Sequence, residues 1–173
     1  MLKRFLIIVI FLILFSHSHA EVQKIVYLNV DKILQQSTAG KSIKKQLETI
    51  YKQNLEKFKK NDEILKEKQK KIIAQKNILS KEDFQKEISS LRSEIIKFQK
   101  DQVRSRESLN KLRIEASNKL ISALSPILKD YAEKNSISLI LQKKNIVIGQ
   151  KEIEITGEIL SIANEKIINI KIK

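Results

Sequence analysis

KSIKKQLETIYKQNLEKFKKNDEILKEKQKKIIAQKNIL, residues 41–79, places Tyr51, Phe58, Leu65, Ile72 and Leu79 at intervals of seven. That spacing keeps all five on one side of a supercoiled helix, so the stretch predicts one arm of a coiled coil. A second arm restarts after Ser80, with Phe84, Leu91, Phe98, Ser105 and Leu112 in one register and Ile88, Ile95, Gln102, Leu109, Ala116 and Ala123 in another. Between the arms, Ser80-Lys81-Glu82-Asp83 has the form of a helix N-cap, with the Ser80 hydroxyl accepting from a free amide and Asp83 placed to reach back. The turn is therefore expected near Leu79 to Lys81, and the arms fold back antiparallel.

No Gly or Pro falls between Lys41 and Ser125, so nothing in the sequence interrupts either arm. At the helical rise, the outgoing arm spans roughly 55 Å and the returning arm roughly 80 Å. The second outgoing register, Leu55, Asp62, Gln69 and Lys76, turns polar with distance from the base, which predicts a firm base and a tip that bends. Gln102 and Ser105 form a polar layer in the returning arm, read either as a register-setting device or as a point of flexibility.

Outside the arms, Met1 to Ala20 has the form of an export signal. Lys3 and Arg4 precede the apolar run Phe5 to Phe15, too short to span a bilayer, and Ser18-His19-Ala20 supplies small residues for cleavage after Ala20. The expected mature chain, from Glu21, is a periplasmic or secreted protein whose net charge falls from +14 to +12 once Lys3 and Arg4 leave. Both histidines, His17 and His19, leave with the signal, and the sequence has no Cys. Imidazole bases, thiolate chemistry, disulfides and the commonest zinc ligands are thereby excluded from the mature chain, and no cofactor or metal is expected.

Lys24 to Val30 reads as a strand, followed by a short helix, Lys32 to Gln36, capped by Asn29 or Asp31; Gly40 allows a turn or a close backbone approach. Past the returning arm, Pro126 is expected to bend or break the helix, and Asn135 to stop it. Ile137 to Gln142 reads as a second strand, Lys143-Lys144-Asn145 as a hairpin turn and Ile146-Val147-Ile148 as a third strand. Thr156 is expected to cap a last helix bearing Ile159, Leu160, Ile162 and Ala163 on its apolar side. The tail, Ile167 to Lys173, alternates apolar and basic residues and can add a strand or fray.

The fold expected is α+β. Both ends of the mature chain, residues 21–41 and 124–173, form a small β body, and residues 42–123 project from it as an antiparallel helical hairpin. A body this small buries little apolar surface, so oligomerisation through its strand edges into a ring is expected.

Val30-Asp31-Lys32-Ile33-Leu34-Gln35-Gln36-Ser37, Gly40-Lys41, the basic hairpin, and Ile148-Gly149 with Glu154-Ile155-Thr156-Gly157-Glu158-Ile159-Leu160 together resemble the Skp/OmpH family of periplasmic chaperones. The likeness covers the whole mature chain in order; the family usually has an Asp where this chain has Glu154, which keeps the charge. The resemblance implies a jellyfish-shaped homotrimer whose helical tentacles surround a cavity. That cavity would hold unfolded outer-membrane proteins, without ATP, until they reach the outer-membrane assembly machinery.

The residues themselves supply what such a holdase needs. Lys66, Lys68, Lys70, Lys71, Lys76, Lys81 and Lys86 crowd the distal hairpin, a basic field suited to acidic unfolded chains and to anionic lipid or lipopolysaccharide. Ile73, Ile96 and Val103 lie one step beyond the heptad seams, with Ile64 and Ile78 one step before. They either face a client or widen the interhelical stripe.

Rival readings fit less well. Nucleic-acid binding would use the positive charge, but aromatic residues are few, no recognition motif is present, and export removes such targets. A passive structural or regulatory envelope coiled coil shares the hairpin and signal but does not need a body built from both termini. The carboxylate pairs Asp62/Glu63 and Glu82/Asp83 sit on helix surface with no pocket to tune them, so an enzyme is not expected.

Overall fold

The computed structural model describes residues 23–172; the expected export signal and its cleavage site lie outside them. Strand β1 (Lys24–Leu28) leads into helix α1 (Val30–Gln36), then the long helices α2 (Thr38–Ala74) and α3 (Lys81–Lys134). Strand β2 (Ile137–Gln142), two short 3-10 turns (Lys143–Asn145 and Lys151–Ile153) and helix α4 (Thr156–Lys166) complete the order. β1 and β2 pair in parallel, Ile25 beside Leu139 and Tyr27 beside Leu141. A parallel pair requires a crossover, and here the crossover is the whole hairpin.

Capping side chains punctuate the helices. The Asn29 side chain accepts from the Lys32 amide at 2.9 Å and starts α1. Ser37, almost fully buried, ends α1 and caps α2 by accepting from the Gly40 amide at 3.0 Å. The long arm thus begins at Thr38 rather than at Lys41, because Ser37 and not Gly40 makes the break. Gly40 serves the close approach: a Cβ there would stand 2.0 Å from the Leu34 carbonyl oxygen. At the far end the turn occupies Gln75 to Ser80. The Ser80 hydroxyl accepts from the Asp83 amide at 3.0 Å and donates to the Asp83 carboxylate at 2.7 Å, so Asp83 closes onto the hydroxyl.

Several further expectations are corrected. Of the bend or break expected at Pro126, the break does not occur: α3 runs through it to Lys134. Pro126 is exposed while Leu124 and Ile127 on either side of it are buried in the body core, so packing holds the helix across the missing donor. It stops at Asn135 as the sequence predicts, and Ser136 follows in the left-handed region at φ 52°. The expected third strand does not form: Lys143–Asn145 is a 3-10 turn rather than a hairpin turn, and Val147 and Ile148 are 98% and 91% exposed. The place beside β1 goes instead to Glu154 and Ile155, through a bridge at Tyr27 and a 2.9 Å bond from the Ile155 amide to the Tyr27 carbonyl.

Another correction concerns Thr156. It is the first residue of α4, behind Ile155, and its side chain does not cap that helix. Its buried hydroxyl accepts from the Asn29 amide at 2.8 Å and donates to the Glu154 carboxylate at 2.9 Å. Glu154 also pairs with Lys143 at 2.8 Å, and the same Lys143 ammonium sits 5.8 Å from the Tyr27 ring centroid. The start of α1 and the start of α4 are thereby tied together.

The body core gathers Val26, Leu28, Ile33, Leu124, Ile127, Ile155, Ile159 and Ala163 from both ends of the sequence. A second cluster, Ala39, Ile43, Ala116 and Leu120, fastens the base of α2 to α3. The tail neither adds a strand nor frays: Ile167, Ile170 and Ile172 pack against this second cluster.

Two outcomes follow. Gly40→Ala drives a methyl into backbone and is expected to lower unfolding stability by about 1–3 kcal/mol, whereas Gly157→Ala, with open space around it, should be neutral or slightly stabilising; urea unfolding of both variants measures this. The Lys143 hydrogen bond, then that of Thr156, lowers the pKa of Glu154 below its ordinary 4.5. Its stabilising contribution is therefore complete above that ordinary value and is lost as pH falls through the depressed one. Wild type should exceed Glu154→Gln in stability at neutral pH, and the gap should close in strong acid; equal gaps at both would show that the carboxylate charge does not hold the body.

Candidate functional site

The hairpin offers long exposed faces and one cavity between its arms. Its arms meet through apolar seam residues: Phe58 and Phe98 stack edge to face at 5.9 Å between centroids and 71°. Ile72 and Leu91 are buried farther out. Space between the arms opens mid-length instead, as a cavity of about 260 Å³ bounded by Tyr51, Leu55, Phe58, Gln102, Ser105 and Leu109. Tyr51 and Leu55, each 56% exposed, are seam residues that fail to close on a partner where Gln102 and Ser105 place polar groups opposite them.

The apolar residues off the seam are exposed to different degrees. Ile73, Ile96 and Val103 are 57%, 46% and 53% exposed, and Ile64 and Ile78 are more exposed still, so much of each side chain is open to a partner. The structure brings Ile96 and Val103 together on one shallow face of α3 with Gln99, Lys100 and Arg104. Ile64 lies on a comparable face of α2 with Lys60, Lys68 and Lys71. Lys60, Lys100 and Arg104 did not stand out in the sequence as site residues. Their spacing of four from Ile64 and Ile96, and of one from Val103, is the signal that marks them.

The seven distal lysines divide into two groups. Lys66 pairs with Asp62 at 2.6 Å, Lys70 with Glu67 at 2.8 Å, and Lys68 bridges the arms to Glu94 at 2.6 Å. Hydrogen bonding to Lys68 lowers the Glu94 pKa, and the same bond raises that of Lys68. The Lys66 and Lys70 pairs are open to water and contribute little to stability, whereas the Lys68–Glu94 pair between the arms is part-buried. Lys71, Lys76, Lys81 and Lys86 are exposed and make no ion pair among the described residues. Their charge is available to a partner.

A second exposed surface lies on the body. Ile25, Leu139 and Leu141 present one apolar face of the two-stranded sheet, and Val147 and Ile148 extend from it. The sequence marked these residues as strands but not as surface. A strand without a neighbour leaves its side chains and its backbone edge open together.

Among the described residues no group of His, Cys, Asp and Glu is arranged to hold a metal ion, and no helix is long and apolar enough to cross a membrane. What the arrangement offers is a surface for binding: scattered apolar side chains for desolvation and cations without an ion-pair partner among the described residues for attraction.

The fold is similar to that of a putative outer membrane chaperone (OmpH-like) from Caulobacter crescentus CB15. The match has a TM-score of 0.80 at 14% identity and covers 91% of this chain and 94% of that one. No curated protein sequence matches. The family profile described as Outer membrane protein (OmpH-like) matches residues 24–162, which takes in the body, the hairpin and the start of the closing helix, and the chain belongs to that family.

Proposed function

We propose that this chain is an ATP-independent periplasmic holdase that binds unfolded outer-membrane β-barrel proteins between its helical arms and delivers them to the outer-membrane assembly machinery. The observation that carries the reading is the exposure of Ile64, Ile73, Ile96 and Val103 on a hairpin that also carries lysines without an ion-pair partner among the described residues. Exposed apolar side chains on helices that already have a packed seam gain nothing from folding and gain from covering a partner's apolar surface. Weak, repeated contacts of this kind suit many unfolded chains rather than one folded ligand. Lys66, Lys68, Lys70, Lys71, Lys76, Lys81 and Lys86 steer acidic clients, and the same field attracts anionic lipid or lipopolysaccharide headgroups.

The working form on this reading is a homotrimer. The open edge of β2 and the apolar face of Ile25, Leu139 and Leu141 need covering, and closing three copies about an axis covers them while sending the hairpins off together around one cavity. The Caulobacter relative's description as a chaperone and the export signal expected at residues 1–20 support the same assignment.

Native mass spectrometry of residues 21–173, alone and mixed with an outer-membrane β-barrel protein diluted from urea, tests the reading. A trimer carrying one unfolded chain is expected; a monomer or dimer that takes up none would overturn it and favour a passive structural or regulatory coiled coil. Replacing Ile73, Ile96 and Val103 together by Ser should weaken client binding about tenfold or more, since roughly half of each side chain can still be covered. Helical circular dichroism should stay unchanged because none of the three is buried. A large loss of helicity in the triple variant would instead place them in the hairpin's own packing.

A further inference from the structure

The last residues of the chain are held in an unusual way. After α4 the backbone runs along the base of the hairpin, where Ile170 and Ile172 are half-buried while Lys171 between them is exposed. Over Ile170 to Ile172 that alternation is the pattern of a β-strand with one side against a core, yet among the described residues no strand lies beside it. The neighbour is a side chain. The Gln46 carboxamide donates from Nε2 to the Ile170 carbonyl at 2.8 Å and accepts through Oε1 from the Ile172 amide at 3.1 Å. A carbonyl and an amide flanking one residue are what the N–H and C=O of a single residue on a parallel neighbouring strand would engage, so the Gln46 carboxamide stands in for one residue of a strand edge. The Ser42 hydroxyl donates to the Asn169 side chain at 2.7 Å and steadies both the approach and, through a 3.3 Å contact, the Gln46 amide.

We propose that this face of α2 and α3, with Gln46 reading backbone over an apolar floor of Ile43, Ala116 and Leu120, is a docking site for extended segments that alternate apolar and polar residues. The chain's own tail, Ile167 to Ile172, is its tethered occupant. Recognition through backbone bonds is indifferent to side-chain identity, and the apolar floor selects only the two-residue alternation. Strands of outer-membrane barrels alternate in that way, so a strand of an unfolded client competes with the tail for one site. The hold on the tail suits exchange: three hydrogen bonds at part-buried or exposed positions and three isoleucines only partly covered. This inference rests on the proposed holdase reading for the identity of its ligand, but the site itself is defined by the tail.

The test uses the full chain, which has no cysteine of its own. Ser42→Cys and Asn169→Cys, joined by a short bifunctional thiol reagent, fix the tail in place. The joined protein should capture a urea-diluted β-barrel client about fivefold less well than the same variant left unjoined, because the open site is then no longer populated. Hydrogen exchange of wild type provides the second measurement: the Ile172 amide should lose protection when client is bound. A synthetic peptide copying residues 167–173 should have the same effect, and a peptide of the same composition with its isoleucines made contiguous should not. Equal capture by joined and unjoined protein, with Ile172 protection unchanged under bound client, would reduce the tail to a fixed strap. If wild type captures no client at all, the holdase reading fails; displacement by the alternating peptide alone would then still establish the site, and its failure would remove it.

Discussion

Parallel backbone pairing between Lys24–Leu28 and Ile137–Gln142 is the constraint on which the rest of the molecule depends. Two strands that run the same way cannot be joined by a tight turn, so the chain between them must leave one end of the sheet and return to the other. Most such connections are a single helix laid across the sheet. Here the connection is the short helix α1 followed by two helices of 37 and 54 residues, about 55 and 80 Å long, that carry most of their length away from the sheet. The body core is consequently made of residues remote in sequence, with Val26, Ile33, Leu124 and Ile159 in one cluster, and the hairpin has only its own seam and its base to hold it.

That division sets where polar groups can be used structurally. In the body, the buried Thr156 hydroxyl satisfies the Asn29 amide and joins Glu154 and Lys143 into one network, so that no buried side-chain polar atom among the described residues lacks a partner. Asn164 of the closing helix accepts from the Thr38 amide at 2.7 Å, supplying from the body a partner that the first turn of α2 cannot find within itself. Along the arms, by contrast, Lys66 and Lys70 make ion pairs open to water, Lys68 makes a part-buried one, and the remaining distal lysines make none among the described residues. Charge there is cheap to expose and is left for interaction.

The same division explains how a long, open hairpin can carry a functional surface. Apolar residues that a compact domain would bury are carried outward on a scaffold whose own seam, from Phe58 and Phe98 to Ile72 and Leu91, is already satisfied. The seam opens at Tyr51 and Leu55 opposite Gln102 and Ser105, so the arms are least tightly joined along their length where the polar layer interrupts them. On the proposed reading, extent and chemical plainness are what the surface needs, since an unfolded partner presents no fixed shape to complement.

The sequence by itself determined the features that depend on near neighbours in the chain. Heptad spacing and the absence of Gly and Pro set the two arms and their lengths, and Asn29, Ser80 and Asn135 set helix boundaries, because periodicity and capping are satisfied within a few residues. Tertiary structure decided whatever required a distant partner. Thr156 looks like a cap until Asn29 claims its hydroxyl; Ile146 to Ile148 look like a strand until Glu154 takes the place beside Tyr27; Pro126 looks like a break until Leu124 and Ile127 are packed on either side of it. Gln46 is an ordinary polar residue of a helix until the tail arrives beside it, and the alternating tail has no visible neighbour in the sequence because that neighbour is a side chain more than a hundred residues away. Local free energies are written in short stretches of chain, whereas the choice among competing partners is made only when the fold brings them within reach.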